Sequence, residues 1–249
     1  MSNTVLVTGA SQGIGRSTAE LLCARGYTVH ATFNSSRAEA SELEKTHAGL
    51  TFHQADFAAR DGVDTLLRAL AGVRLDGIVN NAGIFVADGF EEWDCSIWQT
   101  VFDVNLTAPL RIIMGLRDQL NDGGSIVNVA SLDGMVGSFS AMAYSASKAA
   151  LINLTLSLGN NFGRRNIRVN CISPGWIETG MANPEWADAP EITPLRRNGR
   201  PAEVAKLIAY LLSAEASFVN GANVVIDGGY GNVDYLILQE SKRIDKLGG

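Results

Sequence analysis

Tyr144-Ser-Ala-Ser-Lys148 places a tyrosine and a lysine four residues apart, with Ser131 thirteen residues upstream of the tyrosine. On a helix, residues at that spacing share a face and point at one spot. An exposed tyrosine titrates near pH ~10 and is a poor acid or base at neutrality. A fixed cation about 4 Å away, at an effective dielectric of ~20, favours the phenolate by roughly 4 kcal/mol, or ~3 pKa units. The spacing predicts that Lys148 brings Tyr144 toward working pH, where proton transfer is efficient. Ser131 is expected to hydrogen-bond a carbonyl or alkoxide oxygen at the same spot. Taken alone, the same five residues also read as an ordinary helix face with a solvated lysine.

The elements that must hold these groups follow in chain order. A short β-rich run over 4–8 meets Gly9-Ala-Ser11-Gln12-Gly13-Ile14-Gly15, then a helix is expected over 17–25, closed by Gly26. Strand, glycine turn and helix form the first unit of a nucleotide-binding βαβ fold. Glycines let the backbone approach a pyrophosphate, and the helix N-terminus supplies N–H groups. The second strand, 28–33, leads into Asn34-Ser35-Ser36-Arg37. An NAD site usually carries Asp or Glu there for the ribose hydroxyls. Three neutral donors and an arginine that pairs with a phosphate favour NADP, with NAD still possible. The alternative for Arg37 is a solvent-facing residue opening the next helix.

Strand signals recur at 50–55, 75–79, 125–129, 167–172 and 223–226, and helical ones at 62–70, 97–120, after Tyr144 and at 201–212. Asp56 follows the third strand, where it binds an adenine amino group or caps a turn. Asn80-Asn81-Ala82-Gly83 follows the fourth, where the asparagines bond across adjacent turns and Ala82 and Gly83 leave room for a flat ring. Asn105 falls inside the 97–120 helix, a mildly unfavourable place for an amide. Ser131 ends the fifth strand, at the carboxyl edge where open α/β sheets bind ligands. Pro174-Gly175 ends the sixth, and 176–200 reads as a substrate loop.

The bulk numbers bound the rest. With 249 residues, 46% apolar, the chain suits one large α/β domain. A net charge of −6 gives no electrostatic case for nucleic acid or an anionic membrane surface. No leader or membrane span is visible, so a cytoplasmic location is expected. Cys23, Cys95 and Cys171 read as unpaired thiols in a reducing compartment. His30, His47 and His53 lack metal-ligand spacing, so no metal is expected.

Across residues 4–229 the chain resembles the short-chain dehydrogenase/reductase family. The resemblance rests on Thr8-Gly-Ala-Ser-Gln-Gly-Ile-Gly15, Asp56, Asn80-Asn-Ala-Gly83, Asn105, Ser131, Tyr144-x-x-x-Lys148, Pro174-Gly175 and Thr179, in family order. It implies a three-layer, Rossmann-like doubly wound sheet of about seven parallel strands. It implies that Gly9, Gly13 and Gly15 underlie the pyrophosphate, and that Asp56 and the backbone of Asn81, Ala82 and Gly83 frame the adenosine. Tyr144 is then the proton donor in reduction and the base in oxidation. Lys148 lowers its pKa and bonds the nicotinamide ribose, Ser131 polarises the carbonyl, and Asn105 holds a water leading from Lys148. Thr179 and the backbone near Ile177 bind the carboxamide.

Two departures stand out. Gln12 occupies a place where many NADP-dependent members carry a base. The chain also runs on through 230–249, with Ile237, Ile244 and Leu247 at helical spacing. This extension is expected to cross a subunit partner or the substrate site, or to fray.

The expected activity is hydride transfer between NADP(H) and a ketone or secondary alcohol, such as a 3-oxoacyl group. The alternatives are a non-catalytic dinucleotide-binding regulator, an NAD-preferring alcohol dehydrogenase, and an epimerase or dehydratase that recycles its nicotinamide. Phe85, Val86, Leu132, Met135, Met142, Trp176, Met181 and Trp186 are pocket candidates by position. Asp133 either meets a polar or cationic substrate group or is solvated. A homodimer or homotetramer is expected from the alanine-rich helix after Tyr144 and from family habit.

Overall fold

The computed structural model describes residues 3–179 and 189–234, together with residues 236 and 240. Its strands and helices alternate: Thr4–Val7 (β1), Gly13–Ala24 (α1), Thr28–Phe33 (β2), Arg37–Thr46 (α2), Leu50–Gln54 (β3), Gly62–Ala69 (α3) and Leu75–Asn80 (β4). Then come Cys95–Phe102 (α4), Ala108–Leu116 (α5), Leu120–Val129 (β5), Met142–Phe162 (α6), Arg168–Pro174 (β6), Ala189–Ile192 (α7), Pro201–Leu212 (α8) and Asn223–Ile226 (β7). The seven strands make one sheet in the order β3-β2-β1-β4-β5-β6-β7, and every pairing is parallel. This is the doubly wound Rossmann-like sheet that the motif order implies.

Successive side chains on a strand face opposite sides of a sheet, and helices on both faces require both sides to be apolar. β1 shows this residue by residue. Val5 and Val7 pack with Leu22 of α1 and Val204 and Ile208 of α8. Leu6, between them, packs with Leu66 of α3, Ile112 of α5 and Leu158 of α6. The chain leaves β1 for β2 on one side and returns to β4 on the other. That reversal opens a crevice at the carboxyl ends of β1 and β4, the usual ligand position in such sheets.

Several sequence expectations needed revision. The helix expected over 97–120 is two helices, α4 and α5, joined by a π-helical turn, Asp103–Thr107, and it ends at Leu116. α1 begins at Gly13 rather than 17, because the glycine turn runs directly into it. β5 begins at Leu120, where it pairs with Leu75 across a register shift. His30 and His53 sit side by side on β2 and β3, ring nitrogens 3.0 Å apart, and burial pushes both pKa values down. The 176–200 loop carries α7, while its residues 180–188, including Met181 and Trp186, lie outside the described residues. So does most of the 230–249 extension, including Ile237, Ile244 and Leu247.

Candidate active site

A cavity of about 780 Å³ follows the carboxyl edge of the sheet. One end is built from backbone. Gly9 and Gly13 hold φ of +64° and +57°, which disfavours any side chain. A Cβ on Gly9 would also lie 2.8 Å from the Cα of Ala82. Asn81 locks the two turns together: its Nδ2 donates to the carbonyl oxygens of Thr8 (2.9 Å) and Gly9 (3.0 Å). The Thr8 hydroxyl in turn accepts the N–H groups of Asn81 and Ala82, both at 3.0 Å. Gly15 packs beneath this junction, where a Cβ would meet the Gly9 carbonyl and Asn81 Nδ2.

Ser11, Gln12, Gly13 and Ile14 line the cavity at the start of α1, where first-turn N–H groups have no helical partner. Asn34, Ser35, Ser36, Asp56, Ala82 and Gly83 continue the wall. Asp56 Oδ1 accepts the Ala58 N–H at 3.0 Å, so the turn-capping role is present. Arg37 lies just beyond the lining. Its guanidinium donates to Gln54 Oε1 and sits 5.6 Å over the ring of Phe33, which does line the cavity.

The other end is built from side chains. Ser131, Asp133, Tyr144 and Lys148 line it together, with Phe85, Leu132, Pro174, Gly175, Trp176, Ile177 and Thr179. The apolar stripe of α6 rests on the sheet and turns its third residue, Tyr144, and the more deeply set Lys148 toward the crevice. Lys148 is 3% exposed. Its Nζ donates to the Val129 carbonyl at 2.9 Å and stands 5.5 Å from the Tyr144 ring centroid. A Cβ on Gly83 would lie 3.2 Å from Asn105 Oδ1 and 3.3 Å from Lys148 Nζ, so that glycine keeps the gap between them open. Thr179 reaches over the glycine turn, its Cγ2 3.4 Å from where a Gly13 Cβ would stand. Val86, Met135 and Met142 are not in the wall; the Met135 sulfur instead accepts from Asn223 Nδ2 at 3.5 Å.

The pKa pattern corrects the simple spacing argument. Tyr144 is pushed up to about 12, chiefly by desolvation, while a Ser131 hydrogen bond pulls it down and the charge of Asp133 pushes it further up. Lys148 is pulled down to about 8 by the same burial. Desolvation disfavours the charged form of each group. In the protein by itself, the loss of hydration around the phenol sets the direction of the tyrosine shift.

Asn105 sits in the π turn and is buried. Its Oδ1 accepts the Ile84 N–H at 2.9 Å, and its Nδ2 donates to the Ile84 carbonyl (3.0 Å) and Ser147 Oγ (3.2 Å). Ser147 Oγ donates to the Tyr144 carbonyl at 2.7 Å. The extra residue of a π turn lets a buried amide reach sideways to another chain segment, a geometry frequent at functional sites. Both amide donors of Asn105 are thus used on protein atoms.

Sequence reasoning missed Asp88. It is 0% exposed, and its Oδ2 accepts the Ala143 N–H at 2.8 Å in the first turn of α6. The helix's own N-cap residue, Ala141, has no side-chain acceptor. An acid from 55 positions away supplies the cap. Nothing in the local sequence around Asp88 signals that contact. Ser147 was visible in principle, because it lies three residues after Tyr144 on the same helix.

This fold and this site define a short-chain dehydrogenase/reductase. A family model described as enoyl-(acyl carrier protein) reductase matches residues 9–231, and the chain belongs to the short-chain dehydrogenase/reductase family. Protein FixR of Bradyrhizobium diazoefficiens is 40% identical over 241 residues, covering 90% of this chain and 85% of its own. The angucycline C-6 ketoreductase LanV with bound NADP superposes with a TM-score of 0.86 at 31% identity, covering 93% of this chain and 96% of that one. BdcA in complex with NADPH gives 0.87 at 33%, covering 94% and 96%. The protein is an oxidoreductase of this family, which acts on CH–OH and keto groups.

Proposed function

We propose that the protein is an NADP(H)-dependent ketone reductase, such as a 3-oxoacyl reductase, and in reverse a secondary-alcohol dehydrogenase, with Tyr144 as acid and base. The observation that carries this reading is one cavity lined by the glycine turn at one end and by Ser131, Tyr144 and Lys148 at the other. A regulator that only binds a dinucleotide needs the first end and has no use for the second.

The residues fit the cofactor. Gly9 and Gly13 leave the turn bare beside the α1 N-terminus, which suits a pyrophosphate. Asn34, Ser35 and Ser36 line the wall without an acid, and Arg37 stands over Phe33, which suits a 2′-phosphate. The NADP and NADPH bound in two structural neighbours support the same preference. Lys148 serves the ribose, and Ile177 and Thr179 the carboxamide. When bound, the nicotinamide supplies or accepts the hydride. Tyr144 gives its proton to the carbonyl oxygen, while the Ser131 hydroxyl hydrogen-bonds that oxygen as charge develops. A phenol pushed up to about 12 holds its proton at neutral pH but is a weaker acid than at its ordinary 10.0, so efficient donation would require the bound ligands and Ser131 to lower that value.

The assembly we propose is a homodimer or homotetramer, supported by exposed Met114 on α5 and Leu156 on α6. The cytoplasm suits three free cysteines. Among the described residues no helix is long and apolar enough to cross a membrane. The test is a carbonyl panel assayed with NADPH and NADH side by side. We expect turnover of at least one ketone, faster with NADPH. Cofactor binding without turnover of any carbonyl would overturn the catalytic reading, and a strong NADH preference would overturn the assignment of residues 34–37.

A further inference from the structure

The acids around the cleft differ in what holds them. Asp88 accepts from Ala143 N–H, Asp56 from Ala58 N–H, and Asp227 from the N–H groups of Gly229 and Gly231. Asp133 lines the same cavity as Tyr144, yet among the described residues its carboxylate has no hydrogen-bond or ion-pair partner. A partly buried carboxylate with no protein partner is satisfied only by water or by a ligand, and a cationic ligand group would be favoured there.

Its position is held from two sides. Asp133 lies in a single 3₁₀ turn, Leu132–Gly134, and its N–H donates to Ser131 Oγ at 3.1 Å. The next residue, Gly134, lies so close to α6 that a Cβ there would be 2.8 Å from the Lys148 carbonyl carbon and 2.9 Å from the Ala149 nitrogen. The turn is thus pressed against the helix turn that carries the catalytic pair. The backbone of Asp133 is thus fixed next to Ser131, and Asp133 lines the cavity there.

Resting on the reading of this site as a ketone reductase, we propose that Asp133 determines specificity by binding a protonated amine carried next to the substrate carbonyl. The pocket then selects amino ketones, and amino alcohols in reverse, over neutral isosteres. Among the described residues lining the cavity the only cation is Lys148, and its Nζ is engaged by Val129. Phe85 stands edge-on to the Tyr144 ring at 5.2 Å, so aromatic surface is at hand for the carbon skeleton and for the cation itself. The pairing also reaches the chemistry. The charge of Asp133 pushes the Tyr144 pKa up, and a bound ammonium offsets that charge.

The test compares two ketones of equal size, α-aminoacetophenone and propiophenone, with NADPH and the full-length chain at a pH where the amine is protonated. The wild type is expected to favour the amine by about tenfold or more in kcat/KM. In Asp133→Asn the ratio should fall to within about threefold of one. Because the readout is a ratio within one protein, any general loss of rate in the variant cancels. A wild-type ratio near or below one overturns the proposal whether or not the variant folds, as does an unchanged ratio in Asp133→Asn. Failure of every carbonyl to react would instead sink the ketone-reductase reading beneath it. Turnover of propiophenone without preference for the amine sinks only the role of Asp133.

Discussion

The two ends of the cleft are made of different materials. At the β1–β2 end the working surface is backbone: bare glycines, the start of a helix, and carbonyl oxygens fastened by Asn81. At the β5–β6 end it is side chains, desolvated and pushed in opposite directions, with Tyr144 up to about 12 and Lys148 down to about 8. On the function we propose, the backbone end would hold shape and read charge on a dinucleotide, and the side-chain end would hold protons. Damage to the first is expected to appear as lost affinity, and damage to the second as lost turnover.

The largest expected effect breaks the proton-handling end. Tyr144→Phe removes the proposed acid and is expected to lower kcat by about 10²–10⁴-fold on any ketone that the wild type reduces. Steady-state kinetics check this, and a loss under about threefold would contradict it.

Asn105→Ala comes next. It strips three hydrogen bonds from the buried junction of Ile84, Ser147 and the π turn. Buried groups left unpaired cost about 1–3 kcal/mol each at most, and a loss of about 3 kcal/mol lowers Tm by roughly 6–12 °C in a chain of this size. Thermal melts should show this even where activity is too low to measure.

The lysine offers a pH signature. Its folded pKa of about 8 lies below the ordinary 10.5, so between those values the unfolded chain keeps a proton that the folded one has lost. Folding stability then rises with pH across that window, by up to about 3 kcal/mol from this group. Tyr144 and Cys171 act oppositely, Tyr144 mostly above that window and Cys171 overlapping it, because their folded values are raised from 10.0 to about 12 and from 9.0 to about 11. The clean quantity is the difference between wild type and Lys148→Met. In urea melts at pH 8 and pH 10, the wild type should gain about 2 kcal/mol relative to the variant. Parallel stabilities would show that the amine is not desolvated.

The smallest effect sharpens the boundary between the ends. Asp88→Ala removes a cap from α6 and should cost about 0.5–2 kcal/mol, as losses of helix caps do. We expect kcat to fall several-fold with NADPH affinity unchanged, and Asp88→Asn to restore most of it. A variant that loses cofactor affinity instead would place Asp88 in the wrong half.

The backbone end was readable because glycine is chemically singular. Gly9 and Gly13 stand where φ is positive, and Gly9 and Gly15 where a Cβ has no room, so residue type alone marks the turn. The strands β2 and β7 and the helix α8 were readable to the residue from β-branched runs and from a proline at the first turn. Tyr144 and Lys148 were readable from spacing, but the sign of the tyrosine shift was not. That sign depends on how deeply the pair is buried, which a pairwise Coulomb argument omits. The break between α4 and α5 was hidden because 97–120 keeps helical spacing throughout, and a π turn adds one residue without a composition signal. Asp88 was invisible because its partner is the main chain of a distant residue. Arg37 remained ambiguous in sequence, and the structure shows it occupied by Gln54 and Phe33 at the edge of the wall.

One crossed measurement tests the division of labour most directly: NADPH dissociation constants by calorimetry and kcat at saturating NADPH, on Tyr144→Phe and Gly9→Ala. Gly9→Ala forces a Cβ into a positive-φ position 2.8 Å from Ala82 Cα, a strain of about 1–3 kcal/mol. This division of labour predicts that Tyr144→Phe keeps NADPH affinity within about threefold while turnover collapses. Gly9→Ala should lose about tenfold or more in affinity and retain most of its kcat. Near-normal turnover by Tyr144→Phe on a ketone that the wild type reduces would contradict it.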